Sequence, residues 1–309
     1  MPINVNRPIL SLWPYLLGEI VPLSTVIVFA IAGIVAGQLY LVAAIVIFSL
    51  WWRRQDWLWR FARRVRHFHT ITDGRVVLHH EPGLERDRDL RSLIRQCRED
   101  HDSLAKRFQF TLRRRPVVYL FRHYRDIGKL FGPEYGGAAL TPATASVIAD
   151  DSVVSESLRH ELVHLFAARW RLAAPPLLDE GLAVWLQETS QGETIDAAAR
   201  PWVCDSKLRL RTLLNRHFFF AEPHRHACYL LAGSFTGFLL RRYGWPAYRR
   251  LFRVCDRIRF SAEFEKSFGV TLEEAERQWR HELLAMSPWC QHAGSDGGRW
   301  QERFGTYFR

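Results

Sequence analysis

The chain has 309 residues, 48% of them hydrophobic, which suits one substantial globular domain with a short accessory segment and is too little for two full domains. A formal net charge of +11 invites a nucleic-acid reading, but much of that charge is concentrated beside one apolar segment, so nucleic acid is not an expected partner. The five cysteines, Cys97, Cys204, Cys228, Cys255 and Cys290, are scattered and form no CxxC pair, which argues against a disulfide scaffold and a cysteine-ligated metal and fits a reducing compartment.

The first element is the apolar stretch over residues 9–52. From Val21 to Trp52 there is no charge, and Ser24, Thr25, Gln38 and Ser49 are the polar breaks. That run exceeds the roughly 20 residues a membrane-spanning helix needs and falls short of two generous ones. Gly33, Gly37 and Gln38 offer a turn for a hairpin of two short spans, and a single tilted helix is the alternative. A cleaved signal peptide fits less well, because Arg7 is the lone basic residue before the run and the run continues past Ala30-Ile31-Ala32. Arg53, Arg54, Arg60, Arg63, Arg64 and Arg66 follow, interleaved with Trp51, Trp52, Trp57 and Trp59. Indoles at headgroup depth and guanidiniums facing anionic lipid make residues 1–66 a membrane anchor with a basic juxtamembrane segment. The positive flank places the remaining chain, residues 67–309, on the cytoplasmic side.

In that remainder, residues 75–80 read as a strand and residues 84–108 as a helix, with apolar side chains at Leu90, Leu93, Ile94, Cys97, Leu104 and Phe108. Residues 116–121 (PVVYLF) form a compact apolar strand. Residues 136–150 read as a hairpin around Thr141-Pro142, whose edge offers a place for an extended substrate. A helix is expected over residues 156–170, with Ser155 as its cap and Pro175-Pro176 beyond its end. Further helices read at 177–187, 227–243, 245–255 and 272–286. A few strands followed by a run of helices predict an α+β fold, with a small mixed sheet and a mostly helical carboxyl-terminal half. The segment from Gly132 to Gly137 lacks the lysine of a phosphate-cradling loop, so nucleotide binding is not expected.

Residues 160–164 read His-Glu-Leu-Val-His. Positions four apart on a helix share a face, so both imidazoles can meet one ion while Glu161 stands beside it. Zinc suits two neutral imidazoles and a carboxylate, with a fourth position open to water. The sequence holds a built-in contrast in His281-Glu282-Leu283-Leu284-Ala285, where alanine replaces the second histidine; that stretch reads as an ordinary helix. A third ligand is offered by Asp179-Glu180, an acidic pair among apolar residues that is costly to bury without a partner. Glu180 is the choice over Asp179.

HELVH followed by a proline-rich turn and LLDEGLA resembles the gluzincin metallopeptidases, specifically the peptidase MA-like group, with the similarity extending over about residues 116–286. The resemblance implies a zincin-like domain in which His160, His164 and Glu180 bind Zn2+ and Glu161 is the general base. It also implies, by analogy with a tyrosine on a later helix, that Tyr229 stabilises the oxyanion. Departures from the group are a short interval between His164 and Glu180, no GxMEN-type segment, and Val184 where thermolysin-like enzymes place a histidine-orienting carboxylate. The first two argue against an aminopeptidase; the third leaves Asp179 or a backbone carbonyl to orient the ring. The expectation is a membrane-anchored zinc endopeptidase acting on a protein or peptide, and the alternative is a catalytically silent scaffold or binding module of the same fold.

Overall fold

The apolar run PVVYLF is hydrophobic on both faces, as a strand covered on both sides must be. It supplies the central strand of a sheet in a computed structural model that describes residues 58–132, 137–172, 174–203 and 208–285. The apolar segment over residues 9–52, with its expected span or hairpin, lies outside the described residues. Among the described residues, no helix is long and apolar enough to cross a membrane. The chain divides into two compact units after Phe166.

The first unit opens with a helix, α1, over residues 58–65. Leu58, Phe61 and Val65, at i, i+3 and i+7, are buried in the core, while Trp59 is 58% exposed. The aromatic ring of Phe61 packs edge-on against Tyr119 with centroids 5.0 Å apart. Arg60 donates to the Lys129 carbonyl, and Arg64 pairs with Glu81 and Asp126, so these two arginines of the basic stretch are engaged within the unit. Residues 58–65 therefore share the core of the first unit.

Strands β1 (His69–Asp73) and β2 (Val76–His80) form an antiparallel hairpin. The sequence reading anticipates β2 but not β1, whose residues HTITD are half-buried or exposed at the sheet edge. The helix expected over residues 84–108 is two helices, α2 (Leu84–Asp87) and α3 (Leu90–Phe108). Asp89 separates them, its carboxylate accepting from the backbone N–H groups of Arg91 and Ser92 and so capping α3. Next come β3 (Val117–Phe121), α3's successor α4 (Tyr124–Phe131), and the hairpin of β4 (Gly137–Leu140) and β5 (Ala145–Ala149) joined by a single 3-10 turn, Thr141–Ala143. Sheet order is β1-β2-β3-β5-β4, parallel through β2, β3 and β5 and antiparallel at both edges. The sheet is thus mixed, and the fold is α+β. Helix α5 (Val154–Ala167) closes the unit.

The second unit is mainly helical: α6 (Pro176–Gln187), α7 (Ile195–Val203), the short α8 (Arg216–Phe219), α9 (Arg225–Val254), α10 (Phe260–Phe268) and α11 (Leu272–Ala285). The two helices expected over residues 227–255 run on as α9 with one break, at Gly244, whose φ of 79° and ψ of 165° are not helical. Helices α6 and α9 approach closely because glycines line their crossing. A methyl group on Gly181 would sit 2.7 Å from the Ala232 carbonyl oxygen, and one on Gly233 would sit 2.4 Å from a methyl of Val184. The buried Tyr248 hydroxyl donates to the Leu178 carbonyl at 2.9 Å, which pins the first turn of α6. Trp279 donates to Ser234 and Ser234 donates to Asp196, tying α11, α9 and α7 together through satisfied buried polar groups.

Candidate metal centre

Helix α5 presents two faces of different chemistry. Leu158, Leu162, Val163, Leu165 and Phe166 are buried, and Phe166 packs against His101, Phe108 and Phe110. His160 and His164, one turn apart, are half-buried on another side. The helix is fixed to α3 by an ion pair between Arg159 and Asp100, both largely buried, and by Ser155 donating to Gln96 at 3.0 Å. Ser155 is therefore inside the first turn rather than the cap; at the helix start, the Asp151 carboxylate accepts from the Val153 N–H at 3.0 Å. Burial raises the Asp151 carboxyl above its ordinary value.

The two imidazoles face each other with Nε2 atoms 3.1 Å apart and ring centroids 4.9 Å apart. At that distance the two rings are hydrogen-bonded to each other, a little closer than the about 3.3 Å that separates two nitrogens on one tetrahedral zinc, so a small opening of the pair would admit the ion. Glu180 is on α6 of the second unit and is half-buried. Two imidazoles and a carboxylate form a donor set suited to zinc. Asp179, the neighbouring acid, is also half-buried. Val184 packs against Gly233, so an acidic side chain at that position would be driven into α9.

Glu161 is buried, at 8% exposure, and lies against the sheet edge. A methyl group built on Gly137 would stand 2.7 Å from Glu161 Oε1 and 3.2 Å from the Val147 carbonyl oxygen. Gly137 begins β4, the edge strand expected to take an extended substrate, and its missing side chain is what lets the carboxylate come this close to the edge.

Tyr229, on α9, is half-buried and packs edge-on against Phe219 and Phe220, with centroids 5.1 Å and 6.1 Å away. At the start of α9, the cap residue His224 stacks on Phe218, and His226, in the first turn, is held below the ordinary imidazole range by burial. His281 is exposed on α11 and its neighbour Glu282 pairs with Arg241, as expected of an ordinary helix.

The sequence reading missed a second group of donors, His69, His80 and Glu85, whose ligand atoms lie within 4.8 Å of one another. No spacing signal marks it, because the two histidines meet through strand register rather than along a helix. Compared with known proteins, the chain matches no family model and no curated protein.

Proposed function

We propose that this chain is a zinc-dependent peptidase of the gluzincin type, in which His160, His164 and Glu180 hold the metal and Glu161 is the general base. The observation that supports it most is the pair of imidazoles one turn apart on α5, their Nε2 atoms 3.1 Å apart, with Glu161 next to His160 on the same helix; Glu180 is assigned from the sequence. Bound zinc supplies a Lewis acid that acidifies water and polarises a carbonyl. Glu161 takes the proton from the attacking water and delivers it to the leaving amine. Its burial against β4 keeps the carboxylate close to a peptide laid along that edge, where main-chain hydrogen bonds hold the substrate extended. Tyr229, its ring fixed by Phe219 and Phe220, is the proposed donor to the oxyanion. Endopeptidase action follows from a substrate site built on a strand edge rather than on a pocket for a chain terminus.

Membrane tethering through residues 9–52, with the catalytic part on the cytoplasmic side, belongs to the same proposal and rests on the sequence. Extraction of the full chain from membranes by detergent but not by alkaline carbonate is its test.

The central experiment measures zinc content together with cleavage of a mixed peptide library, for the wild type and Glu161→Gln. The expected outcome is equal zinc in both proteins and cleavage by the wild type alone. Cleavage by Glu161→Gln removes the proposed base, and a zinc-loaded wild type that cleaves no peptide leaves the scaffold alternative in place.

A further inference from the structure

The hairpin of β1 and β2 pairs His69 directly with His80, so both imidazoles leave the same face of the sheet. Their rings stand edge to face, centroids 5.6 Å apart and planes at 89°. Two residues beyond Gly83, whose φ of 91° turns the chain back, Glu85 projects from the short helix α2 to the same place. Its two oxygens are shared: Oε1 is 3.6 Å from His69 Nδ1, and Oε2 is 3.6 Å from His80 Nδ1. Oε2 also accepts from the Gly83 N–H at 2.9 Å, which fixes the carboxylate between the rings.

Those separations decide between two readings. A carboxylate bonded directly to a protonated imidazole sits at about 2.7–2.9 Å, well inside 3.6 Å. Ligands of one cation at about 2.0–2.2 Å are instead about 3.3 Å or more apart, because the ion lies between them. The 3.6 Å separations are thus too long for direct hydrogen bonds and match groups bridged by one cation. Burial is graded across the three groups, with the His80 side chain 3% exposed, Glu85 42% and His69 57%, which fixes one ligand in the core and leaves the solvent side open for water. His80 Nδ1 also lies 3.1 Å from the Glu81 carbonyl, a contact that ligation through this nitrogen would replace. Arg122, the cation nearest Gly83, is paired with Asp87 and so opposes a bound ion less than a free guanidinium would.

We propose that His69, His80 and Glu85 form a second metal site, for a divalent first-row transition cation, separate from the group on α5 and α6. Two imidazoles select against Mg2+ and Ca2+, which take oxygen ligands. The ion joins edge strand β1 to β2 and α2 and so staples the outer edge of the sheet. It does not depend on the peptidase reading, since no donor is common to the two groups.

The test is metal stoichiometry on the full chain in detergent, stripped with chelator and titrated with Zn2+ and with Co2+, whose visible spectrum reports coordination. The His160→Ala/His164→Ala double variant should still bind one equivalent. His69→Ala and Glu85→Gln, both at solvent-exposed ligands, should each lose one equivalent relative to wild type while circular dichroism stays unchanged. Combining His69→Ala with the double variant should abolish binding. A folded His160→Ala/His164→Ala protein that binds no metal overturns the proposal, as does a His69→Ala protein with wild-type stoichiometry and affinity. Failure of the α5 group alone would leave the single equivalent at the hairpin intact, which distinguishes the two sites.

Discussion

Replacing Gly137 by alanine tests how closely the proposed base is held to the sheet edge. The added methyl would stand 2.7 Å from Glu161 Oε1 and 3.2 Å from the Val147 carbonyl oxygen. Val147 lies in the β4–β5 ladder, opposite Ala138, so its carbonyl has little freedom; the carboxylate, at the end of a side chain, is what gives way. Relief to an ordinary carbon–oxygen contact requires a retreat of roughly half an ångström or more. A displacement of about 1 Å at a reacting group costs about 100-fold, so a shift of this size predicts a loss in kcat of about 10- to 100-fold, or about 1.4–2.7 kcal/mol in the barrier. Zinc content should not change, because Glu161 is not one of the three ligands. Stability should change little, as the strand is at the edge and alanine restricts the unfolded chain slightly more than glycine does. Hydrolysis of a fluorogenic peptide, zinc analysis and thermal unfolding of the Gly137→Ala protein provide the three readouts. Wild-type kcat in a folded Gly137→Ala protein refutes the placement of the base, and loss of zinc refutes the claim that only the base has moved.

Gly181→Ala drives a methyl into the Ala232 backbone and the Thr236 hydroxyl at the α6–α9 crossing, and should destabilise the protein by about 1–3 kcal/mol, seen as a lower urea midpoint with unchanged slope. A change below about 0.5 kcal/mol would mean that the two helices have slack there. Cys97, Cys228 and Cys255 are free and buried, and burial pushes the last two thiols up to about 12 and Cys97 higher still. Iodoacetamide at pH 8 should label none of these three in the native protein and all three after unfolding, as mapped by mass spectrometry. Since the folded-state values lie above those of the unfolded chain, their contribution to stability is intact below about pH 8.5 and falls as pH rises toward 12. Tyr229→Phe keeps the ring packed on Phe219 and Phe220 but removes the hydroxyl; the expected result is unaltered unfolding and a kcat lower by about 100-fold, and an unchanged kcat would assign Tyr229 to packing alone.

Much of the fold could be read from particular residues. The β3 strand announces itself as an unbroken apolar run, the β4–β5 hairpin as two small-residue stretches about Thr141-Pro142, and α9 as a helix that must fail at Gly244. The edge strand β1 was not legible because half of its surface faces water and its polar composition resembles a loop. Helix α10 carries Phe260, Phe264 and Phe268 on one stripe, a usable signal in a segment too short to stand out. The apolar spacing on either side of Asp89 concealed the break it makes as the cap of α3. At the candidate centre, His160, Glu161 and His164 are local in sequence and need only the helical repeat to be associated. Glu180 required the acidic pair in an apolar setting, and His69 with His80 required a strand register that composition does not encode.

The burial of Leu58, Phe61 and Val65 has a practical side for anyone preparing a water-soluble version of this protein. Trimming the chain at residue 67, where the basic stretch ends, would strip a plug from Tyr119, Phe121 and Phe131 and leave a greasy trench that invites self-association. A workable start site falls upstream of Leu58. Under the proposed membrane tethering, the same packing leaves little free chain after Leu58, so the proposed peptidase should act on targets whose cleavable stretch comes near the bilayer rather than those drifting freely in bulk solvent.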